Sequence, residues 1–168
     1  MNKKEFQKII TNKKYLEKKI KFFEKKNIIR NESNKSEIQG HLEKSEDNLR
    51  FVNEIFKLNF LDWTITGCYY SIYHLALALC IKKGKFSKNH NATILLLIKF
   101  YSEFKEEFDL INELYLNYKD LLFYSEIKEK RNLSTYSTQK ILNKKEVKEL
   151  KTKTIKLIIK LKEILKND

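Results

Sequence analysis

Proline is absent from this sequence, and glycine occurs only three times among 168 residues. Proline breaks helices and glycine marks tight turns, so a chain with so little of either favours long helices joined by short connections. The same scarcity excludes collagen-like and Pro/Gly-rich low-complexity chains. No segment alternates between apolar and polar residues for long enough to predict a strand.

Cysteine and metal-binding patterns are also scarce. Cys68 and Cys80 lie in one apolar segment, where a helix would separate them by about 18 Å, far beyond disulfide distance. Both are predicted to be small core residues. There is no glycine-rich phosphate loop, no CxxC pair and no HExxH pattern, so neither a metal nor another cofactor is expected.

Acidic residues are fewer than basic ones: the sequence has 22 acidic and 35 basic residues, so its formal net charge is +13. Such a balance favours polyanionic partners, nucleic acid first and an acidic protein second. Only three of the basic residues are arginine. A lysine excess can equally reflect biased genome composition or a hot habitat, so that alternative stays open.

The sequence also lacks an apolar signal core in its first ten residues, MNKKEFQKII. A secretory signal peptide would need such a core. The expectation is a soluble, cytoplasmic protein without a membrane segment.

What the chain does have is apolar residues at helical spacing along most of its length. This predicts an all-α, up-and-down helical bundle of about five helices with an added N-terminal helix. Residues 1–32 are predicted to form an amphipathic helix, over about 3–27, and a linker; residues 33–168 are predicted to form the bundle. Ser33 or Ser36 is the expected cap of the next helix, which runs to about Leu58.

The segment LDWTITGCYYSIYHLALALCIKKG is hydrophobic nearly all round, which predicts the central helix of the bundle. Asp62 is its expected N-cap and Gly84 the residue just beyond its C-terminus. Three further helices are predicted in ATILLLIKFYSEF, FDLINELYLNYKDLLFYSEIKEKR and NKKEVKELKTKTIKLIIKLKEILK.

Tyrosines and histidines on or near the central helix allow two interpretations. Core packing with hydrogen-bonded hydroxyls is favoured for Tyr69, Tyr70 and Tyr73, while stacking on RNA bases is the functional alternative. His74 is interpreted as a hydrogen-bonded core residue, and His90 as a loop or cap residue.

The segment KRNLSTY places Arg131, Asn132 and Tyr136 close together where the apolar pattern breaks down. On a regular helix Arg131 and Tyr136 would lie about 140° apart, so they share a face only if the helix loosens. Ser134 and Thr135 favour loosening because they hydrogen-bond to nearby backbone. In the plainer interpretation Arg131 simply complements the dipole at a helix C-terminus.

Arg131-Asn132 resembles the opening of the R-x(4–6)-H hallmark of the HEPN family (higher eukaryotes and prokaryotes nucleotide-binding), with Tyr136 where the histidine is expected. That pattern is similar to the UPF0332-like branch, which often reads R-x-x-A-D-Y there. The segment DWTITGCYYSIYHLALALCIKKGKFSKNHNATILLL also resembles the central part of that branch. The likeness covers roughly residues 36–166.

The resemblance implies a bundle that forms a homodimer and brings two arginine motifs to a shared cleft that takes RNA or a nucleotide. Active members are metal-independent endoribonucleases, often toxins paired with a minimal nucleotidyltransferase antitoxin. The implied catalytic residues are Arg131, Asn132 and Tyr136. The implied RNA- or nucleotide-binding residues are Arg131, Lys130, Lys128, Lys88 and His90.

Tyrosine, with an ordinary pKa of about 10, is a poor base near neutral pH, so the replacement at Tyr136 predicts RNA binding with weak or absent cleavage. Tyr136 is also a candidate for modification, since a tyrosine near this motif receives AMP in some family toxins. Two alternatives stay open: a non-catalytic dimeric nucleotide-binding or protein-interaction module, and a helical scaffold in which Arg131 only caps a helix.

Overall fold

The computed structural model describes residues 5, 8–9, 11–103, 126–127, 129–132 and 143–167. Five helices run through these residues, and the first four are joined by short connections that include two strands of two residues each. In chain order the elements are α1 (Lys13–Lys25), β1 (Arg30–Asn31), α2 (Lys35–Lys57), α3 (Leu61–Lys82), β2 (Lys85–Phe86), α4 (His90–Glu103) and α5 (Lys144–Asn167). The described residues of 126–132 are also helical, and we call them the Arg131 segment. The predicted all-α bundle is confirmed.

Helix α3 is the central helix, as its sequence predicts. It packs most extensively against α2, then against α5 and α4, and it is buried on nearly every side. By length and composition alone α3 is long and apolar enough to cross a membrane, but 83% of its most apolar stretch is buried inside the bundle. Burial by neighbouring helices therefore accounts for its all-round hydrophobicity.

Small residues let α2 and α3 approach closely. A Cβ atom added at Gly67 would lie 2.6 Å from Cγ2 of Val52. Nearby, the Ser45 hydroxyl donates to the Ser71 carbonyl at 2.7 Å, and the Ser71 hydroxyl donates back to the Ser45 carbonyl at 2.5 Å. Two buried hydroxyls are thus satisfied across the interface, which fixes the register of the two helices.

Helix starts were predicted less well than helix positions. The N-cap of α2 is Asn34, whose side chain accepts from the backbone N–H of Ser36 at 2.9 Å, so neither Ser33 nor Ser36 is the cap. Asp62 is not the N-cap of α3 either, because the helix begins one residue earlier and Asp62 lies in its first turn.

The end of α3 and the start of α1 can also be compared with the sequence. Gly84 does follow the C-terminus of α3, with a φ of 76° that favours glycine. The N-terminal helical pattern is divided at Asn12, which caps α1 by accepting from the Tyr15 N–H at 3.0 Å.

The N-terminal residues share the core of the bundle. Leu16, Ile20 and Ile29 belong to the same buried apolar cluster as α3. Strands β1 and β2 pair antiparallel, with Arg30 opposite Phe86 and Asn31 opposite Lys85. The short sheet, too brief to show an alternating pattern, ties the segment before α2 to the connection between α3 and α4.

Both cysteines are buried and unbridged, as predicted. Burial raises the pKa of Cys68 to about 12 and raises the pKa of Cys80 as well. Both thiols therefore stay protonated and behave as small apolar groups.

Candidate nucleic-acid site

The Arg131 segment is held to the bundle by Ile127, which is fully buried. Arg131 lies one helical turn further along, so it faces the same side as Ile127. It is half-buried, whereas Asn132 beside it is exposed and Lys130 is half-buried. The segment therefore directs the arginine towards the bundle and leaves its neighbouring amide in solvent.

The guanidinium of Arg131 lies against two tyrosines of α3. Its central carbon is 4.8 Å from the ring centroid of Tyr69 and 5.9 Å from that of Tyr70. A cation over the face of an aromatic ring is attracted by the negative charge of that face. Tyr69 is fully buried, so the arginine is supported by a ring that cannot move away.

The hydroxyl group of Tyr69 contacts a histidine. The Tyr69 hydroxyl is hydrogen-bonded to Nδ1 of His90, the first residue of α4. The ring of Tyr73 lies 4.3 Å from that of His90, and its hydroxyl donates to the Lys88 carbonyl at 3.2 Å. We call Arg131, Tyr69, Tyr73 and His90 the arginine–tyrosine cluster.

One tyrosine of the cluster, Tyr73, is neutral. Burial raises the pKa of Tyr73 above its ordinary value, although a hydrogen bond from Thr93 opposes the rise. Tyr73 is therefore a hydrogen-bond donor at neutral pH and not a base.

A second pair of polar rings adjoins this cluster. Nδ1 of His41 on α2 is 2.9 Å from Nδ1 of His74 on α3, and the His74 ring lies 6.4 Å from that of Tyr70. Burial lowers the pKa of both histidines, that of His74 to about 4, with the neighbouring His41 and Lys44 adding to the effect on His74. Both rings are therefore neutral at pH 7.

Because both imidazole rings are neutral, each carries a proton on only one of its two nitrogens. In the hydrogen bond between the two Nδ1 atoms, one therefore donates and the other accepts. Nε2 of His41 is buried and has no hydrogen-bond partner among the described residues. A buried acceptor without a partner is tolerated better than a buried N–H without one. We infer that His41 carries its proton on Nδ1 and donates to His74.

The structure brings some of the predicted site residues together. Arg131 contacts the ring of Tyr69 and His90 contacts its hydroxyl, and the Lys88 carbonyl accepts a hydrogen bond from Tyr73. Lys88 itself is exposed. Lys128 and Tyr136 lie outside the described residues, and so does the stretch where loosening of the helix was expected.

The interpretation of the tyrosines and His74 is confirmed in part and extended. Tyr69 and Tyr73 are buried and their hydroxyls are hydrogen-bonded, and His74 is hydrogen-bonded on a partly buried surface. His90 is the first residue of α4 and Asn89 is its N-cap, so the prediction of a loop or cap role for His90 is wrong. The contact of Arg131 with Tyr69 was missed, because no sequence spacing relates two residues on different helices.

Within the described ranges, no group of three or more His, Cys, Asp or Glu residues is arranged to hold a metal ion.

In a comparison with known families, the family model described as HEPN domain matches residues 38–165. The matched region is more than half of the chain and includes α3, α4 and the Arg131 segment. No curated protein matches the sequence.

Proposed function

The chain belongs to the HEPN domain family, and from that premise we propose that it binds single-stranded RNA at the arginine–tyrosine cluster and cleaves RNA slowly or not at all. The observation that carries the proposal is the placement of Arg131 on Tyr69, beside His90. A planar, permanently charged guanidinium is suited to phosphate because it donates two parallel hydrogen bonds.

The surrounding charge supports an RNA partner. The chain carries a formal net charge of +13, and Lys88 and Lys130 flank the cluster in sequence and structure. Basic residues attract the phosphate backbone over a distance, and their contacts release counterions from the nucleic acid. Aromatic rings next to a basic surface add stacking partners for unpaired bases, and Tyr70 is the partly exposed ring of this group.

We expect slow or absent cleavage because the reaction needs two proton transfers. In metal-independent cleavage the ribose 2′-hydroxyl attacks the adjacent phosphate, so one group must remove a proton and another must protonate the leaving oxygen. Arg131 would stabilise the charge on the phosphorane. Tyr136 replaces the histidine that would move the protons, and general acid–base help is worth about 10²–10⁴-fold.

His90 contacts the same tyrosine as Arg131 and is the histidine that could supply part of that help. Its Nδ1 is engaged by the Tyr69 hydroxyl, so this nitrogen does not act as the base in the observed arrangement. Any residual cleavage through His90 would therefore use its other ring nitrogen, Nε2, as the single proton-transfer group, which supports a weak activity over a fast one.

A partner is part of the proposal. By resemblance to family toxins we infer a homodimer with paired Arg131 sites and a minimal nucleotidyltransferase antitoxin that attaches AMP to Tyr136. An added phosphate would repel RNA and switch the site off. Mass spectrometry after co-expression with a nucleotidyltransferase encoded by a neighbouring gene tests this point, and an unmodified Tyr136 would contradict it.

A non-catalytic module that binds a nucleotide or a protein is the second candidate. Phe60 and Trp63, at the start of α3, are 55% and 60% exposed. Large exposed apolar side chains favour a protein interface, and this surface does not involve the arginine–tyrosine cluster.

Fluorescence anisotropy with a single-stranded RNA of about a dozen nucleotides tests RNA binding. We expect Arg131→Ala to weaken binding about tenfold or more, because a charge-assisted phosphate contact is lost. The matched control is Arg50→Ala, which removes an exposed arginine that is paired with Asp47 on α2.

Two outcomes would contradict the proposal. If Arg131→Ala and Arg50→Ala bind RNA equally well, the cluster is not the RNA site. If the wild type rapidly cuts generic RNA at pH 7 in the presence of a chelator, and Arg131→Ala does not, the site is catalytically competent despite Tyr136.

A further inference from the structure

A pocket of about 470 Å³ lies beside the β1–β2 sheet, at some distance along the chain from the arginine motif. It is lined by Asn27, Ile28, Arg30, Phe86, Lys88 and Asn89. The volume is in the range of small-ligand sites. Half of the lining comes from residues that precede the region matched by the family model, so the pocket is built by the N-terminal segment together with the α3–α4 connection.

Arg30 is held in place at the wall of this pocket. Its guanidinium carbon lies 4.8 Å from the centroid of the Phe86 ring, and its backbone pairs with Phe86 in the sheet. The side chain is nevertheless 61% exposed. The nearest carboxylate, on Glu32, is 4.0 Å away, and its other oxygen accepts from the backbone N–H groups of Ser33 and Asn34.

An exposed guanidinium fixed against a ring is organised for a ligand before the ligand arrives. Little side-chain freedom remains to be lost on binding, so more of the contact energy appears as affinity. Glu32 lies too far away for a close ion pair with Arg30 and is itself engaged by backbone donors, so an incoming anion competes with it easily.

The lining of the pocket also includes a second cation and a helix start. Lys88 is exposed, and Asn89 caps α4 by accepting from the Ala92 N–H at 3.0 Å. The positive end of the α4 dipole therefore adds to the charge of Lys88 and Arg30. Ile28 and Phe86 supply apolar surface in the same pocket.

The pocket is joined to the arginine–tyrosine cluster by short contacts. The Lys88 carbonyl accepts from the Tyr73 hydroxyl, and Tyr73 packs on His90, which follows Asn89 directly. Lys88 therefore belongs to the short stretch of chain that links the cluster to the pocket.

We propose that this pocket is a second subsite for the RNA strand that binds at Arg131, and that it takes one nucleotide. Arg30 and Lys88 hold the phosphate, and the apolar wall of Ile28 and Phe86 packs against the base or sugar. This inference rests on the proposed RNA-binding function. It assigns to the N-terminal segment the role of extending the site beyond the arginine motif.

Titration of RNA binding against salt concentration tests the subsite. Each phosphate contact in a single strand contributes about 0.7 to the slope of log K against log salt. We expect Arg30→Ala and Lys88→Ala each to reduce the slope by about that amount and to weaken binding about threefold to tenfold. Both side chains are exposed, so the variants should fold; circular dichroism melting curves verify this, and Arg30→Lys should restore part of the affinity.

The outcomes separate the subsite from the RNA site itself. If Arg30→Ala and Lys88→Ala behave like the control Arg50→Ala while Arg131→Ala binds weakly, the subsite is wrong and the RNA site stands. If Arg131→Ala also behaves like Arg50→Ala, the proposed function fails as well. If polyglutamate displaces RNA as well as unlabelled RNA of equal charge does, the pocket is a general anion or acidic-protein surface, which also overturns the subsite.

Discussion

The guanidinium of Arg131 lies over the buried ring of Tyr69, with 4.8 Å between its central carbon and the ring centroid. Tyr69 belongs to the central helix and Arg131 to a later helical segment, so the contact joins the arginine motif to the most rigid part of the bundle. The Tyr69 hydroxyl contacts His90 at the start of α4. One tyrosine therefore positions both the cation and the histidine of the candidate site.

The ring and the hydroxyl of Tyr69 can be separated by two substitutions. Tyr69→Phe keeps the ring beneath Arg131 and removes only the bond to His90, so we expect RNA affinity to change less than about threefold, with roughly 1 kcal/mol lost from the free energy of unfolding. Tyr69→Leu removes the ring, and we expect about a tenfold loss of affinity because Arg131 loses its support. Anisotropy and urea unfolding measure the two effects. Equal RNA affinities for the two variants would show that the ring does not position the arginine.

The His41–His74 pair predicts a specific dependence of stability on pH. Burial lowers the pKa of His74 to about 4, whereas in the unfolded chain it is about 6.5. Between these values the unfolded state binds more protons than the folded state, so the free energy of unfolding falls as the pH drops through that window. Above about pH 6.5 the pair has no such effect.

His74→Leu isolates this contribution, because leucine does not titrate. We expect its free energy of unfolding, measured by urea titration, to depend less on pH than that of the wild type between about pH 6.5 and about pH 4. Carboxylates contribute equally to both proteins and cancel in the comparison. Parallel pH profiles would contradict the lowered pKa.

Two glycines offer a matched test of helix packing. Gly67→Ala places a methyl group 2.6 Å from Cγ2 of Val52, so we expect a loss of about 1–3 kcal/mol in the free energy of unfolding. A Cβ at Gly40 in α2 meets no atom within 4 Å, so Gly40→Ala should stabilise the protein by about 0.5–1 kcal/mol through helix propensity alone. Thermal and urea unfolding check both values. A neutral Gly67→Ala would mean that α2 and α3 are not held at the observed distance.

A homodimer is expected because a single Arg131 makes a weak phosphate clamp and a symmetric pair makes a stronger one. Light scattering at micromolar concentration should give about twice 20.3 kDa. A monomer at every accessible concentration would count against a shared cleft.

The order and positions of the described helices could be read from the sequence because helical periodicity and all-round hydrophobicity are local properties of the chain. The helix predicted in FDLINELYLNYKDLLFYSEIKEKR lies mostly outside the described residues. Helix α3 was identified as central from its composition alone. The N-caps of α2 and α3 were wrong, because serine, asparagine and aspartate near a helix start are nearly equivalent as caps and the packed position of the helix selects among them. The sequence did not predict the β1–β2 pairing, because a strand of two residues is too short to show alternation of apolar and polar side chains.

By itself the sequence determined an all-α bundle, a basic surface and a motif, Arg131-Asn132, typical of HEPN domains. Only the tertiary structure decided which side chains meet that arginine. Tyr69 and His90 come from two other helices, and the Arg30 pocket combines the N-terminal segment with the α3–α4 connection. The physical reason is that periodicity fixes which face of a helix is buried, whereas the contacts between faces depend on close approaches such as Gly67 against Val52, which set how the helices are aligned.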